Sequence, residues 1–198
     1  MRVSEIFGVL LLSATIFCSQ ATARAADTYT VDKDHSSIGF SVSHLMISTV
    51  RGEFTDYQGT IVFDPADPAT IQIDAVLQAA SVNTRQEKRD EHLKTADFFD
   101  VANNPTITFK SKDVKKDGDQ YLITGDLTIR EVTKEIQLSA AIQGPVKTPF
   151  GAEAIGISAQ TKINRQDFGV SWNKTMDEGG YVVGDEVLLD VRIEAQKM

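Results

Sequence analysis

The sequence predicts an all-β fold, a closed antiparallel sheet with an apolar interior and one helix lying over it. Its extended segments alternate large apolar with small or polar residues at a period of two, as at Phe40 and Val42 or at Leu189 and Val191. Successive side chains of a strand point to opposite faces, so each segment has one buried face. Even spacing and frequent hairpin signals favour a barrel over a sandwich. The inward faces of such a barrel either fill its centre or line a pocket for an apolar ligand.

Nine segments carry the alternating pattern and are predicted as strands. They cover residues 28–32, 36–44, 52–63, 69–79, 106–114, 120–128, 131–142, 152–163 and 186–195. Asp117-Gly118 is the clearest hairpin signal, because both central residues of the favoured two-residue turn need a positive φ. Pro65 and Pro68 mark a turn before the fourth segment, because proline fixes φ and lacks a backbone donor.

One segment departs from the strand pattern and is predicted as a helix. Thr84 and Glu87 fit a capping box, which places the helix over residues 85–96. Leu93 is its main apolar residue, so the helix is expected to lie over the barrel, pinned by Phe98 and Phe99. Alternatively, its charged face docks another protein.

The first 25 residues predict a secretory signal peptide. Arg2 supplies a positive start, residues 6–17 an apolar stretch, and Ala23 to Ala25 a small-x-small cleavage motif. Cleavage before Ala26 or one residue later leaves residues 26–198 as a single exported domain. A retained anchor is the alternative. The apolar stretch is short for a bilayer span, however, so no stable membrane insertion is expected.

Charge and cysteine content exclude several classes of function. Loss of the signal peptide removes Arg2, Arg24 and Glu5, which changes the formal net charge from −8 to −9. A chain this acidic repels phosphate backbones, so no nucleic acid partner is expected and anionic membrane surfaces are poor partners. Cys18 is the only cysteine and lies inside the signal peptide. The mature protein is therefore expected to lack disulfides, thiolate zinc sites and cysteine nucleophiles.

The polar residues predict no catalytic site, no metal site and no cofactor. His35, His44 and His92 lack the spacing of metal ligands, and the sequence has no phosphate loop or nucleophile elbow. His35 is expected in a turn and His44 at a strand end. The protein is therefore predicted not to be an enzyme.

The segment around Arg165 has two interpretations. Arg165 could bind an anionic or carbonyl head group at a barrel mouth, or it could pair with Asp167 or another nearby carboxylate. Phe168 and Trp172 could grip an apolar chain, or they could close one end of the core.

Five groups of residues, in order along essentially the whole mature chain, resemble the YceI family. They are Asp34-His35-Ser36 with Ile38, Phe40, Val42 and His44-Leu45; Ser81-Val82-Asn83-Thr84 with Arg89-Asp90, His92-Leu93 and Ala96-Asp97-Phe98-Phe99; Pro105-Thr106-Ile107-Thr108-Phe109-Lys110-Ser111; Gly125-Asp126-Leu127-Thr128-Ile129 with Val132-Thr133-Lys134; and Asn164-Arg165 with Asp167-Phe168-Gly169. Glu131 departs from the glycine that members often carry there. The resemblance implies a periplasmic, eight-stranded, lipocalin-like antiparallel barrel that holds a long isoprenoid, either a polyprenyl chain or the tail of a quinone. It also implies a homodimer.

The isoprenoid ligand is implied by this resemblance, and the residues expected to contact it are predicted from the alternation along each strand. The predicted lining residues are Phe40, Val42, Ile73, Leu77, Phe109, Ile123, Leu127, Ile157, Leu189 and Val191, with Phe98, Phe99, Phe168 and Trp172 at the ends and Arg165 at the mouth. Small residues at inward positions are expected to leave space for the chain, namely Ala75, Ala79, Gly125, Ala140 and Ala159.

Two other classes of function stay open beside a carrier or store. An enzyme acting on the bound lipid or quinone would need Arg165, Asp167 and His44 to converge at one mouth. A structural or signalling module would have its barrel filled by side chains and would act through its outer surface.

Overall fold

The computed structural model describes residues 26–177 and 179–198. In these ranges the chain forms β1 (Asp27–His44), β2 (Ser48–Phe54), β3 (Tyr57–Phe63), β4 (Gln72–Gln78), β5 (Val82–Asn83), α1 (Glu87–Lys94), β6 (Thr106–Asp117), β7 (Gln120–Ile129), β8 (Val132–Lys147), β9 (Glu153–Asn164) and β10 (Val183–Lys197). The predicted signal peptide, residues 1–25, lies outside the described residues. No helix in the described ranges is long and apolar enough to cross a bilayer.

Eight of these strands close into an antiparallel barrel, which confirms the predicted fold class. Neighbouring strands follow the order β10, β9, β8, β7, β6, β4, β3, β1, and β1 pairs again with β10 to complete the circle. In that last seam Phe40 lies opposite Leu189 and Val42 opposite Val187. β2 and the two-residue β5 extend the sheet beside the second half of β1.

The first strand is longer than the sequence indicated. Segments 28–32 and 36–44 form one continuous strand with a bulge between Asp32 and Ser37. The Ser36 hydroxyl donates to the Glu194 carbonyl at 3.2 Å and accepts from the Glu194 amide at 2.9 Å. These bonds replace the ladder bonds that the bulge removes, so the strand continues through it.

The segment predicted as one strand over 52–63 is instead two strands. The chain leaves the ladder at Thr55 and Asp56, between β2 and β3. Thr55 donates from its amide to the Ser81 carbonyl at 3.2 Å, and Gln78 donates to the Asp56 carbonyl at 2.8 Å. The strands on either side pair with different halves of β1.

The hairpin between β6 and β7 is confirmed, with its turn one residue later than expected. Asp117 pairs with Gln120, so Gly118 and Asp119 are the central residues. Gly118 has φ of +58°, which a glycine adopts without a Cβ clash.

The predicted capping box is wrong, although the helix itself is present. The helix begins at Glu87, and the side chain of Gln86 caps it by accepting from the Arg89 amide at 2.6 Å. Thr84 is buried and bonds to Asp90 and Arg89 instead. Arg85 has φ of +64° and turns the chain between Thr84 and the helix. The threonine hydroxyl therefore bonds to side chains of the first turn and caps no backbone amide there.

The two ends of the barrel differ. The closed end, where β1 begins and β10 finishes, is packed by fully buried side chains that include Tyr29, Phe63, Ile155 and Ala195. At the other end, called the helix end, β1 finishes and β10 begins, and α1 and the segments after it cross the opening.

Candidate functional site

An apolar cavity of about 470 Å³ lies inside the barrel. This volume is in the range of small-molecule and lipid sites in proteins. The wall comes from nearly every strand of the barrel and from α1, with aliphatic and aromatic side chains dominating. A closed barrel of eight strands is wide enough to hold one such ligand.

All fifteen residues that the sequence placed at a ligand site lie on the wall of this cavity. The strands contribute Phe40, Val42, Ile73, Leu77, Phe109, Ile123, Leu127, Ile157, Leu189 and Val191. The helix end contributes Phe98, Phe99, Arg165, Phe168 and Trp172. Whether these side chains contact a ligand stays a prediction, whereas their common orientation is a property of the structure.

The centre of the barrel is not filled by side chains. Leu189 and Val191 point inward but keep part of their surface exposed, because they face open space. Ala75 and Ala159 line the cavity as expected. Gly125 does not leave space: a Cβ there would stand 2.5 Å from Cζ of Phe109, so the phenyl ring already occupies the position. Ala79 and Ala140 are buried in the packed core and are not among the lining residues.

Several wall residues were not assigned from the sequence. Ile38 and Val187 belong to the alternating pattern and could have been included. Phe54 and Tyr57 both face the cavity, although they have opposite parity in a regular strand. The break at Thr55 and Asp56 turns both inward, and no sequence signal marks that break.

The charged side chains that line the cavity are all basic and all lie at the helix end. They are Lys88 and Arg89 of α1 and Arg165, accompanied by His44 and His92. Among the described residues that line the cavity, none is an aspartate or a glutamate, in a chain that carries 28 of them. Lys88 and Arg89 line the cavity and are also exposed to solvent, which indicates that the cavity opens beside them. We call this region, which includes His44, Val50 and Val182, the mouth. Its charge favours a ligand end that is anionic or rich in hydrogen-bond acceptors.

Arg165 is a buried anchor for the loop that follows it. It is 5% exposed, and Nε donates to the Gly184 carbonyl at 2.8 Å. Nη1 donates to the carbonyls of Val170 and Trp172, and Nη2 reaches the Val183 carbonyl at 3.4 Å and Asp185 Oδ1 at 3.1 Å. Burial lowers the pKa of the guanidinium and Asp185 raises it.

All five donors of Arg165 therefore have protein partners, since an arginine has no more than five. Its carboxylate partner is Asp185 rather than Asp167. The side chain lines the cavity, but its hydrogen bonds serve the fold rather than a ligand head group.

An aromatic group covers the cavity beneath α1. The ring of Trp172 lies 5.3 Å from Phe98 and 5.0 Å from His92, and Phe99 packs 5.6 Å from Phe54. His92 Nε2 also bonds to Asp97 Oδ2 at 2.8 Å. These rings both close the core and face the cavity, so the two interpretations of Trp172 are compatible.

The catalytic set considered from the sequence does not assemble. Arg165 and His44 line the cavity, but Asp167 is exposed and is not among the lining residues. With the donors of Arg165 already used, these three side chains do not form an acid, a base and an electrophile around one position.

A second polar cluster lies outside the barrel, at the bulge of β1. Asp32, His35 and Glu194 bring ligand atoms within 4.8 Å of one another. His35 Nδ1 lies 2.9 Å from Asp32 Oδ2, which raises the pKa of His35 and lowers the pKa of Asp32. Asp32 also accepts from the Asp34 amide and from Gln196. These bonds hold the bulge, so we assign the cluster a structural role. His35 was expected in a turn and lies instead within β1, at the bulge.

Comparison with known proteins places this architecture in a family. The YceI-like domain matches residues 29–195. Protein YceI of Escherichia coli O157:H7 is 40% identical over 162 residues, covering 81% of this chain and 84% of that protein. The crystal structure of the Campylobacter jejuni YCEI protein superposes with a TM-score of 0.69 at 39% identity, covering 79% of this chain and 90% of the other.

A more distant structure shares the fold alone. A polyisoprenoid binding domain from Saccharophagus degradans superposes with a TM-score of 0.62 at 16% identity, covering 86% of this chain and 98% of the other. The family model spans most of the chain, and the bacterial relatives match it over most of their own length. The chain is therefore a member of the YceI family.

Proposed function

We propose that this protein binds a long isoprenoid lipid, either a polyprenyl chain or an isoprenoid quinone, inside its barrel. It carries or stores the lipid in the periplasm and does not convert it. The observation that carries the proposal is the apolar cavity, enclosed on the strand side and open at a basic mouth. Family membership and the shared fold of the polyisoprenoid binding domain from Saccharophagus degradans support this class of ligand.

The energetics suit a long hydrocarbon. Each methylene moved from water into the cavity contributes about 0.8 kcal/mol and needs no directional partner. An aliphatic wall therefore retains an isoprenoid by contact area. Selectivity then depends on chain length and on the few polar groups at the mouth.

The basic mouth extends the proposal to the head group. Lys88 is exposed and lines the mouth, whereas Arg89 uses Nε and Nη2 on Thr84 at 2.7 and 2.9 Å. Lys88 is thus the better placed of the two to pair with a phosphate or a quinone carbonyl. The hydrocarbon then occupies the barrel interior.

Mass spectrometry of an organic extract tests the proposal. The mature protein is purified from a bacterial periplasm without detergent and extracted with solvent. We expect one isoprenoid or isoprenoid quinone per barrel. An empty extract, together with no binding when polyprenyl phosphate and isoprenoid quinone are added back, would contradict the proposal. Light scattering on the same sample tests the expected homodimer.

Reversing the charge of Lys88 is expected to weaken binding of a charged ligand selectively. Lys88→Glu should raise the Kd for a polyprenyl phosphate about fivefold, about 1 kcal/mol, because an exposed charge pair at the mouth is lost. The effect should shrink at high salt. Lys116→Glu makes the same change in net charge at the exposed end of β6 and should leave the Kd unchanged. An equal loss for an uncharged isoprenoid quinone would show that Lys88 does not act through charge.

The alternative is an enzyme that acts on the bound lipid. It predicts turnover of a quinone or polyprenyl phosphate by purified protein. If the turnover persists after a second purification step and is lost in a variant of the mouth, the protein is an enzyme and the carrier proposal is wrong.

A further inference from the structure

The turn between β1 and β2, which we call the tip (Leu45–Ile47), has an unfavourable sequence for its conformation. Ile47 donates from its amide to the His44 carbonyl at 3.2 Å, which closes a two-residue turn. Its central residues Leu45 and Met46 have φ of +52° and +60°. Glycine is favoured at such positions because it has no Cβ to crowd the following carbonyl oxygen, and asparagine is tolerated because its short side chain can hydrogen-bond locally. Strain that is retained at one turn points to a role for the side chains it presents.

The tip presents apolar side chains to solvent. Ile47 is 85% exposed and Met46 is 54% exposed. From Leu45 to Val50 the sequence contains no charged residue. A single exposed apolar residue needs no explanation, but adjacent exposed apolar residues that belong to a larger apolar surface mark sites of contact with a protein or a membrane.

A neighbouring hairpin extends the same apolar surface. Residues Lys174–Met176 pair with residues Gly180–Val182. Tyr181, in the middle of the second segment, is 44% exposed. A Cβ placed on Gly180 would stand 3.1 Å from Cε of Met176 and 3.2 Å from Sδ of Met46, so the two methionines meet over this glycine. The Leu45 amide donates to the Val182 carbonyl at 2.9 Å, which ties the tip to this hairpin.

This surface is continuous with the mouth of the cavity. His44 and Val50 lie on either side of the tip in sequence, and both line the cavity. Val182, the last residue of the neighbouring hairpin, also lines the cavity. An isoprenoid leaving the cavity between α1 and β1 would therefore meet apolar side chains before it met water.

We propose that the tip and its neighbouring hairpin dip into the surface layer of a lipid bilayer, and that isoprenoid passes there between membrane and cavity. The inference rests on the proposed function for its cargo. A long isoprenoid is nearly insoluble in water, so its source and destination are membranes, and direct transfer needs an apolar path. A few apolar residues give a shallow, reversible contact.

The contact is apolar rather than electrostatic. The mature chain carries an expected net charge of −9, and Asp177 is exposed beside Met176. Arg51 is the cation nearest in sequence to the tip, and the exposed Lys174 belongs to the neighbouring hairpin itself. With charges of both signs around it, the surface suits zwitterionic head groups, and anionic lipid should weaken the contact.

Uptake of an isoprenoid quinone from phosphatidylcholine vesicles tests the proposal. Ile47→Asp should lower the initial rate of uptake at least tenfold, because it places a charge in the apolar layer, and the amount bound at equilibrium should not change. Phe150→Asp is the matched control, since Phe150 is 96% exposed in the turn between β8 and β9 at the closed end. An unchanged rate in Ile47→Asp, or an equal fall in Phe150→Asp, would overturn the proposal.

A second variant separates the role of the tip from an effect on folding. Met46→Asn removes the apolar side chain and suits a positive φ, so it should raise Tm by about 2–4 °C while it lowers the uptake rate. A fall in both Tm and uptake would point to a packing role and contradict the proposal.

Vesicle flotation tests the membrane contact independently of isoprenoid binding. Wild-type protein should float with phosphatidylcholine vesicles that contain no isoprenoid, and Ile47→Asp should not. If flotation is seen but no isoprenoid is bound, the cargo is wrong and the membrane contact stands. If Ile47→Asp instead changes the oligomeric state in gel filtration, the tip is a contact between copies of the chain, and the membrane proposal fails.

Discussion

Replacing Ala75 with phenylalanine is expected to abolish isoprenoid binding while the barrel stays folded. Ala75 lines the cavity beside Gly59 and Phe109, and its small side chain leaves open space in front of it. A phenyl ring there would displace about five carbons of the ligand. At about 0.8 kcal/mol for each, the loss is about 4 kcal/mol, or about a thousandfold in affinity.

The next residue provides a matched control. Val76 lies on the same strand, is not among the lining residues and has the opposite orientation, so Val76→Phe enlarges a side chain outside the cavity. Titration with an isoprenoid quinone should show binding to Val76→Phe and none to Ala75→Phe. Circular dichroism should show the same strand content in both. Full binding by Ala75→Phe would mean that the ligand does not occupy the interior.

Substitution of Arg165 is expected to have the largest effect on stability. Arg165→Met should lower the free energy of unfolding by about 3–5 kcal/mol, because four buried or partly buried carbonyl oxygens and Asp185 lose a charged donor at once. Urea unfolding followed by circular dichroism measures this change. Val170, Trp172, Val182 and Val183 line the cavity, so ligand retention should fall as well.

Two variants distinguish the hydrogen-bond network from the charge alone. Arg165→Lys keeps the charge but offers a single nitrogen, so it should recover only a minor part of the lost stability. Asp185→Asn keeps an acceptor at a partly exposed position and should cost about 1 kcal/mol or less. A change below about 1 kcal/mol in Arg165→Met would show that the loop does not depend on this side chain.

The alternating pattern was sufficient to orient the ten strand residues that were predicted to line the barrel, all of which lie on the cavity wall. Phe40, Val42, Leu189 and Val191 were assigned correctly to the inner face, because a strand sends every second side chain to the same side. The same rule placed Ala75 inside. Sequence also located the helix, although its cap is Gln86 and not Thr84, because a single left-handed residue between them changes the geometry.

Other features depend on contacts between residues that are distant in the chain. The break at Thr55 and Asp56 is held by bonds to Ser81 and Gln78, and it turns both Phe54 and Tyr57 inward. Similarly, the bulge in β1 depends on Ser36 meeting Glu194, 158 positions later. A local pattern contains no information on such partners.

Local pattern alone established an all-β chain with an apolar inner face, because side-chain alternation follows directly from strand geometry. Closure of the barrel and the basic mouth required the folded chain. The mouth depends on the position of α1 at the end of the barrel, which places Lys88 and His44 on the wall of the same cavity. The role of Arg165 was likewise open in the sequence, because four of its five partners are backbone carbonyls, and every residue has one. Only folding brings these four carbonyl oxygens within 3.4 Å of the same guanidinium.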